Sequence, residues 1–165
     1  MKLIVVLLAC CLAGFASPRQ NGQSLSVSIS TTKTEHSRDS NTTSTSIRIV
    51  GNDLTYEEQR RRSKPSHKEY KLTENEIAGL KSLITEKKLL ASNTVEFPSV
   101  SGPHTDYEST AEIRIEGKTA TLSVSGPINS DKMKSDPIYQ NTQALLDAIN
   151  HIMEKKDSEP ESRNK

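Results

Sequence analysis

Residues 111–124 read AEIRIEGKTATLSV, and this stretch decides the fold. Ala111, Ile113 and Ile115 alternate with Glu112 and Arg114, Gly117-Lys118 turns the chain, and Ala120, Leu122 and Val124 alternate back. A period of two on β-tolerant residues, broken by one glycine turn, predicts a hairpin with one face buried and one wet. Upstream, Leu25, Val27 and Ile29 alternate with serines, and Thr43 to Val50 repeats the pattern through Ile47 and Ile49. Thr34 to Thr42 between them is charged and turn-rich, and is expected to be a long exposed loop. Gly51-Asn52-Asp53 then turns into a return strand at Leu54-Thr55-Tyr56. Glu57 to Ser66 is a polar excursion, and Lys68 to Leu72 is a further short strand with Tyr70 and Leu72 on one face.

Two helices complete the layout. Thr73 with Glu76 three residues on forms a capping box, and Leu72 is placed to staple onto Ile77. Ile77, Leu80, Leu83 and Ile84 make one apolar stripe, with acids in the first turn and Lys87-Lys88 at the end, as the helix dipole prefers. After Leu90 a long connection contains Pro98, Gly102 and Pro103, and Gly126-Pro127 ends the second hairpin. Asp136 caps the last helix, with Pro137 at its first position, where a missing N–H costs nothing. Ile138, Leu145, Leu146, Ile149, Ile152 and Met153 form its buried stripe. The expectation is an α+β domain over residues 23–153: one two-layer unit, an antiparallel sheet of about four to six strands, two helices on one face, in ββ(β)α-ββα order. Residues 17–22 read as a flexible lead-in and residues 154–165 as a disordered charged tail. Ser44 to Asn52 (STSIRIVGN) echoes Ser109 to Lys118 (STAEIRIEGK). Either a ββα unit is duplicated, or exposed hairpins converge on Ile-x-Ile plus Gly.

The start of the chain carries an address. Lys2 precedes an unbroken apolar run from Leu3 to Leu12, and Gly14-Phe15-Ala16 puts small residues at a cleavage site between Ala16 and Ser17. The run is shorter than the roughly 20 residues of a membrane-spanning helix, so it reads as a cleaved secretory signal over residues 1–16. Leu7-Leu8-Ala9-Cys10 also resembles a lipobox, which leaves a lipid anchor at Cys10 or Cys11 as the alternative. Cleavage after Ala16 removes both cysteines, and with them any disulfide framework, thiol nucleophile or Cys-based zinc site. The location expected is secreted, periplasmic or cell envelope.

Composition narrows the function further. Beyond Ala16, Val, Ile, Leu and Phe make up only 27 of 149 residues, close to the level at which disorder competes, but the charges there balance. A thin core with polar ends follows. Arg60-Arg61-Arg62-Ser63-Lys64 is the one local charge concentration. It fits a phosphate, an anionic lipid, an acidic partner or a dibasic processing site, or it is a solvated loop beside Glu57 and Glu58. Without overall basicity or interleaved aromatics, no nucleic-acid partner is expected.

Of four histidines (His36, His67, His104 and His151), only His104-Thr105-Asp106 makes an H-x-D pair, read as lying in a loop beside Pro103. No G-x-S-x-G elbow or glycine-rich phosphate loop occurs. No catalytic residue, metal or cofactor is therefore expected. If the chain is an enzyme, His104, Asp106 and Tyr107 are its acid–base group. Asn41-Thr42-Thr43 is a glycosylation sequon that matters in a eukaryotic source. Arg60, Arg61, Arg62, His104 and Asp106 remain as binding-surface candidates for a non-enzymatic module whose partner is another protein.

The element order is similar to that of emfourin-like proteins, small inhibitors of metalloproteases of the thermolysin class. The similar features are a strand pair, a Leu-Thr-x-x-Glu helix start at Leu72 to Glu76, and the apolar pair Leu89-Leu90. Asp106-Tyr107 then leads into an I-x-I strand, a glycine turn, a return strand and a closing helix. The resemblance spans Leu25 to Met153 and implies an inhibitor. The family's glycine-rich first-hairpin loop has no counterpart, since Thr32 to Thr42 holds no glycine, and no site residue is carried over.

Overall fold

The computed structural model describes residues 24–36, 40–98, 100, 102–128 and 130–159. The signal read at residues 1–16, with Cys10, Cys11 and the Ala16–Ser17 junction, lies outside the described residues, as do the lead-in 17–22 and residues 160–165. The elements run β1 (Ser26–His36), β2 (Asn41–Val50), β3 (Asp53–Arg60), β4 (Ser66–Lys71), α1 (Glu74–Glu86), β5 (Asn93–Glu96), β6 (His104–Ile115), β7 (Lys118–Pro127), α2 (Asp131–Ser135) and α3 (Pro137–Ser158). The strands form one seven-stranded sheet in the order β4-β3-β2-β1-β6-β7-β5. All pairings are antiparallel except β5 with β7, which is parallel.

The α+β architecture is as expected, but the sheet is larger than four to six strands and a third, short helix is present. Strand β5 has Val95 as its only large apolar residue, too little to mark a strand by periodicity. Strand β1 also runs on to His36 and β2 starts at Asn41, inside the bounds of the expected Thr34–Thr42 loop. Thr34 pairs with Thr42 and Glu35 with Asn41, so both ends of the expected Thr34–Thr42 loop are ladder. Beyond Ile29 and before Ile47 both faces are polar, and alternation gives no signal there.

The core sits between one sheet face and the two long helices. Val27, Ile29, Ile47, Ile49, Leu54, Ala111, Ile113 and Leu122 bury against Leu80 and Ile84 of α1 and Leu145 and Ile149 of α3. Each of these apolar sheet residues is no more than 3% exposed, a burial that contributes ~2 kcal/mol per Val, Ile or Leu side chain. Val27 stands opposite both Ile49 and Ile113, so the two Ile-x-Ile runs flank one central strand. The two runs that echo each other in sequence thus meet the same packing demand. Between β6 and β7, Glu116 and Gly117 both hold positive φ (54° and 78°), as a two-residue type I′ turn requires.

The caps form as read. Thr73 Oγ1 accepts from the Glu76 N–H while Glu76 reaches back to the Thr73 N–H. Asp136 Oδ1 accepts from the backbone N–H groups of Ile138 (2.8 Å) and Tyr139 (3.2 Å). Helix α3, however, continues to Ser158, so residues 154–158 are helical where a disordered tail was expected. These residues lack an apolar face, and polar contacts anchor them instead. Lys68 Nζ lies 2.6 Å from Asp157 Oδ2, Tyr70 donates to Asp157 Oδ1 at 3.0 Å, and Lys156 pairs with Glu76 at 3.1 Å.

Candidate functional site

The antiparallel pairing of β1 with β2 and β6, and the parallel pairing of β5 with β7, bring three connections to one end of the sheet. They are the β1–β2 hairpin, the β3–β4 turn and the segment from β5 into β6. The sequence marks all three as polar or turn-rich stretches, and all five candidate residues lie among them or at the strand ends beside them. Here the strands overrun the helices.

The three arginines have separate environments. Arg60 Nε pairs with Glu58 Oε1, which partly neutralises it. Arg61 Nη1 donates to the Ser40 carbonyl (2.7 Å) and hydroxyl (3.0 Å), and the Arg61 N–H donates to Thr42 O at 3.1 Å. Arg61 thus ties the β3–β4 turn to the β1–β2 hairpin. Arg62 takes the left-handed conformation (φ 68°) that closes the turn. Its side chain and that of Lys64 are exposed, and neither has an ion-pair partner among the described residues. The solvated-loop reading therefore fits Arg60, while Arg62 and Lys64 are open to a partner.

His104 and Asp106 lie on β6 rather than in a loop. Two residues apart on a strand, they share a face, and it is the face away from the helices. His36, at the end of β1, stands directly opposite His104. The two imidazoles stack with centroids 4.7 Å apart. His36 Nε2 lies 2.9 Å from Asp106 Oδ2, and His104 Nε2 lies 3.4 Å from Asp106 Oδ1. His104 Nδ1 lies 2.7 Å from the Gly102 carbonyl oxygen. Sequence reasoning found the H-x-D pair but missed His36, because only the strand register brings the two histidines together.

Tyr107 points the other way. It is buried on the helix side, edge-on to Tyr139, and its hydroxyl oxygen accepts from Gln143 Nε2 at 2.6 Å. The proposed acid–base trio is thus split across the sheet. Beside Tyr107, where α3 leaves the sheet uncovered, is a cleft of about 380 Å³ whose walls include Lys33, Tyr56, Glu58, Arg60 and Asp147. Tyr56 donates to Glu58 Oε2 at 2.6 Å. Burial, and then the bonded Glu58 carboxylate, push the Tyr56 hydroxyl up to about 12. The same hydrogen bond, followed by Arg60, holds the Glu58 carboxyl below its ordinary value.

The other two histidines are remote from this end's cluster. His67 faces solvent between Glu69 and Glu57, at 3.2 Å from each, and these carboxylates raise its pKa. His151 is exposed on α3. Among the described residues no helix is long and apolar enough to cross a membrane. No protein-family model matches the chain, and no curated protein does. The likeness to emfourin-like inhibitors is therefore one of element order.

Proposed function

We propose that the chain is an exported, non-enzymatic recognition module that binds another protein through the end of the sheet where its three connections meet. The observation that carries this reading is their convergence. Three connections far apart in sequence leave the sheet at one end, and Arg61 ties the β3–β4 turn to Ser40 beside the β1–β2 hairpin. Arg62 and Lys64 offer this surface unneutralised positive charge for an acidic partner patch. Export rests on the leader at residues 1–16, and a lipid anchor at Cys10 or Cys11 is the alternative that mass spectrometry of the mature N-terminus decides.

An enzymatic role for His104, Asp106 and Tyr107 is the weaker reading. Acid–base partners must lie within reach of one substrate, and Tyr107 faces away from the other two. Inhibition of a thermolysin-class metalloprotease is the specific form of binding that the layout favours.

The test uses the mature domain and three versions in which the β1–β2 loop, the β3–β4 turn or the β5–β6 segment is replaced by a Gly-Ser linker. Each is used to capture protein from the native secretome or envelope, and each is titrated against a thermolysin-class protease. Loss of the captured partner in at least one folded version supports the reading. Equal capture by all three contradicts it.

A further inference from the structure

We propose that His36, His104 and Asp106 form a binding site for a divalent transition metal of the zinc type at the open-face end of β1 and β6. The argument starts from one hydrogen bond. A carbonyl oxygen only accepts, so the 2.7 Å contact with Gly102 O fixes the proton of His104 on Nδ1. In the neutral ring, Nε2 is then a bare lone pair, and it faces Asp106 Oδ1 at 3.4 Å. A ring nitrogen lone pair and a carboxylate oxygen turned toward one point are the donors that a divalent cation takes.

His36 directs its own Nε2 at the same carboxylate, 2.9 Å from Oδ2, and the two rings stack at 4.7 Å. One divalent cation satisfies all three groups at once. The donor atoms of the three residues already lie within 4.8 Å of one another. Zinc–nitrogen and zinc–oxygen bonds of about 2.0–2.2 Å in a tetrahedron place donors about 3.3–3.6 Å apart, within the spread of this cluster. Two imidazoles and a carboxylate are a donor set suited to zinc. The Gly102 carbonyl is the outer partner that orients a ligating histidine.

The cluster opens to solvent on the uncovered face, which leaves a fourth position for water or for a side chain of a bound partner. The ion would clamp the end of β1 to the start of β6, and so would hold two of the three connections described above. The metal site stands whether or not that end binds a protein, because its geometry is independent of the arginine turn.

The test is calorimetric titration of the mature domain with zinc chloride, beside His36→Ala, His104→Ala and Asp106→Asn. Wild type is expected to bind one zinc ion, and each variant to lose at least about tenfold in affinity. Long-range proton–nitrogen NMR supplies a readout that folding alone does not move. Zinc should shift Nε2 of His36 and His104 and leave His151 in place. Asp106→Asn keeps the side-chain shape, so its loss of binding without loss of circular dichroism separates ligation from folding. Absence of saturable heat and of imidazole shifts in wild type, or unchanged affinity in the three variants, overturns the proposal.

Discussion

The same substitution, glycine to alanine, should have opposite effects at Gly126 and Gly79. Gly126 lies in β7 with φ +145°, a region open essentially to glycine alone. A Cβ there would stand 2.6 Å from Phe97 Cβ and 3.1 Å from Phe97 O, just beyond β5. The backbone conformation costs about 1–3 kcal/mol. Relieving the clash means moving the end of β5, which threatens the Phe97 N–H to Ser125 O bond of 2.8 Å, about 1 kcal/mol more. Gly126→Ala is therefore expected to destabilise by roughly 2–4 kcal/mol. Gly79 lies within α1, and a Cβ there meets nothing within 4 Å. Gly79→Ala should stabilise by about 0.5–1 kcal/mol through helix propensity and a less flexible unfolded chain. Urea unfolding followed by far-ultraviolet circular dichroism reads both as shifts of midpoint at constant slope. A Gly126→Ala protein as stable as wild type would refute the placement of β5 beside β7.

Four further outcomes are expected. Asp136→Ala removes the acceptor of two N-terminal amides of α3 and should cost about 0.5–2 kcal/mol, read by the same unfolding curves. Thr142 Oγ1 is buried without a hydrogen-bond partner among the described residues, so the near-isosteric Thr142→Val should raise stability by about 1 kcal/mol or more. Burial works against ionisation of Glu76, but the Thr73 backbone N–H and the Lys156 ammonium outweigh it and leave the carboxyl below its ordinary value. Its stabilisation is full above the unfolded carboxyl pKa of about 4.3 and is lost as pH falls through the lower folded value. The stability gap between wild type and Glu76→Gln should hold steady from about pH 6 to 8 and close in acid. Tyr56 is the reverse case: its folded pKa of about 12 lies above the unfolded value, so its contribution is lost as pH rises from about 10 to 12. Ultraviolet titration of Tyr56→Phe should lack that late phenolate step.

Much of the core was legible because it obeys one rule at a time. Ile47, Ile49, Ile113 and Ile115 alternate, Leu80 and Ile84 recur at helical spacing, and Thr73 and Asp136 sit where caps belong. The candidate end was illegible for the converse reason. Past the helices both sheet faces are wet, so Thr34 to His36, Asn41 and Thr42 give no alternation, and the far ends of β1 and β2 read as a loop. His104 and Asp106 were visible as a pair. His36 was not, since its place opposite His104 depends on a strand pairing across 68 residues. The last turns of α3 were misread because charge pairs to Lys68 and Glu76, on distant elements, hold a segment with no apolar stripe.

Amide hydrogen exchange of the domain, free and with its captured protein bound, tests the recognition surface most directly. The account predicts new protection at the amides flanking the three connections: Glu35 and His36, Asn41 and Thr42, Arg60 to Lys64, and His104 to Asp106. Protection confined instead to the opposite end, around the Gly51 and Gly117 turns, would contradict it.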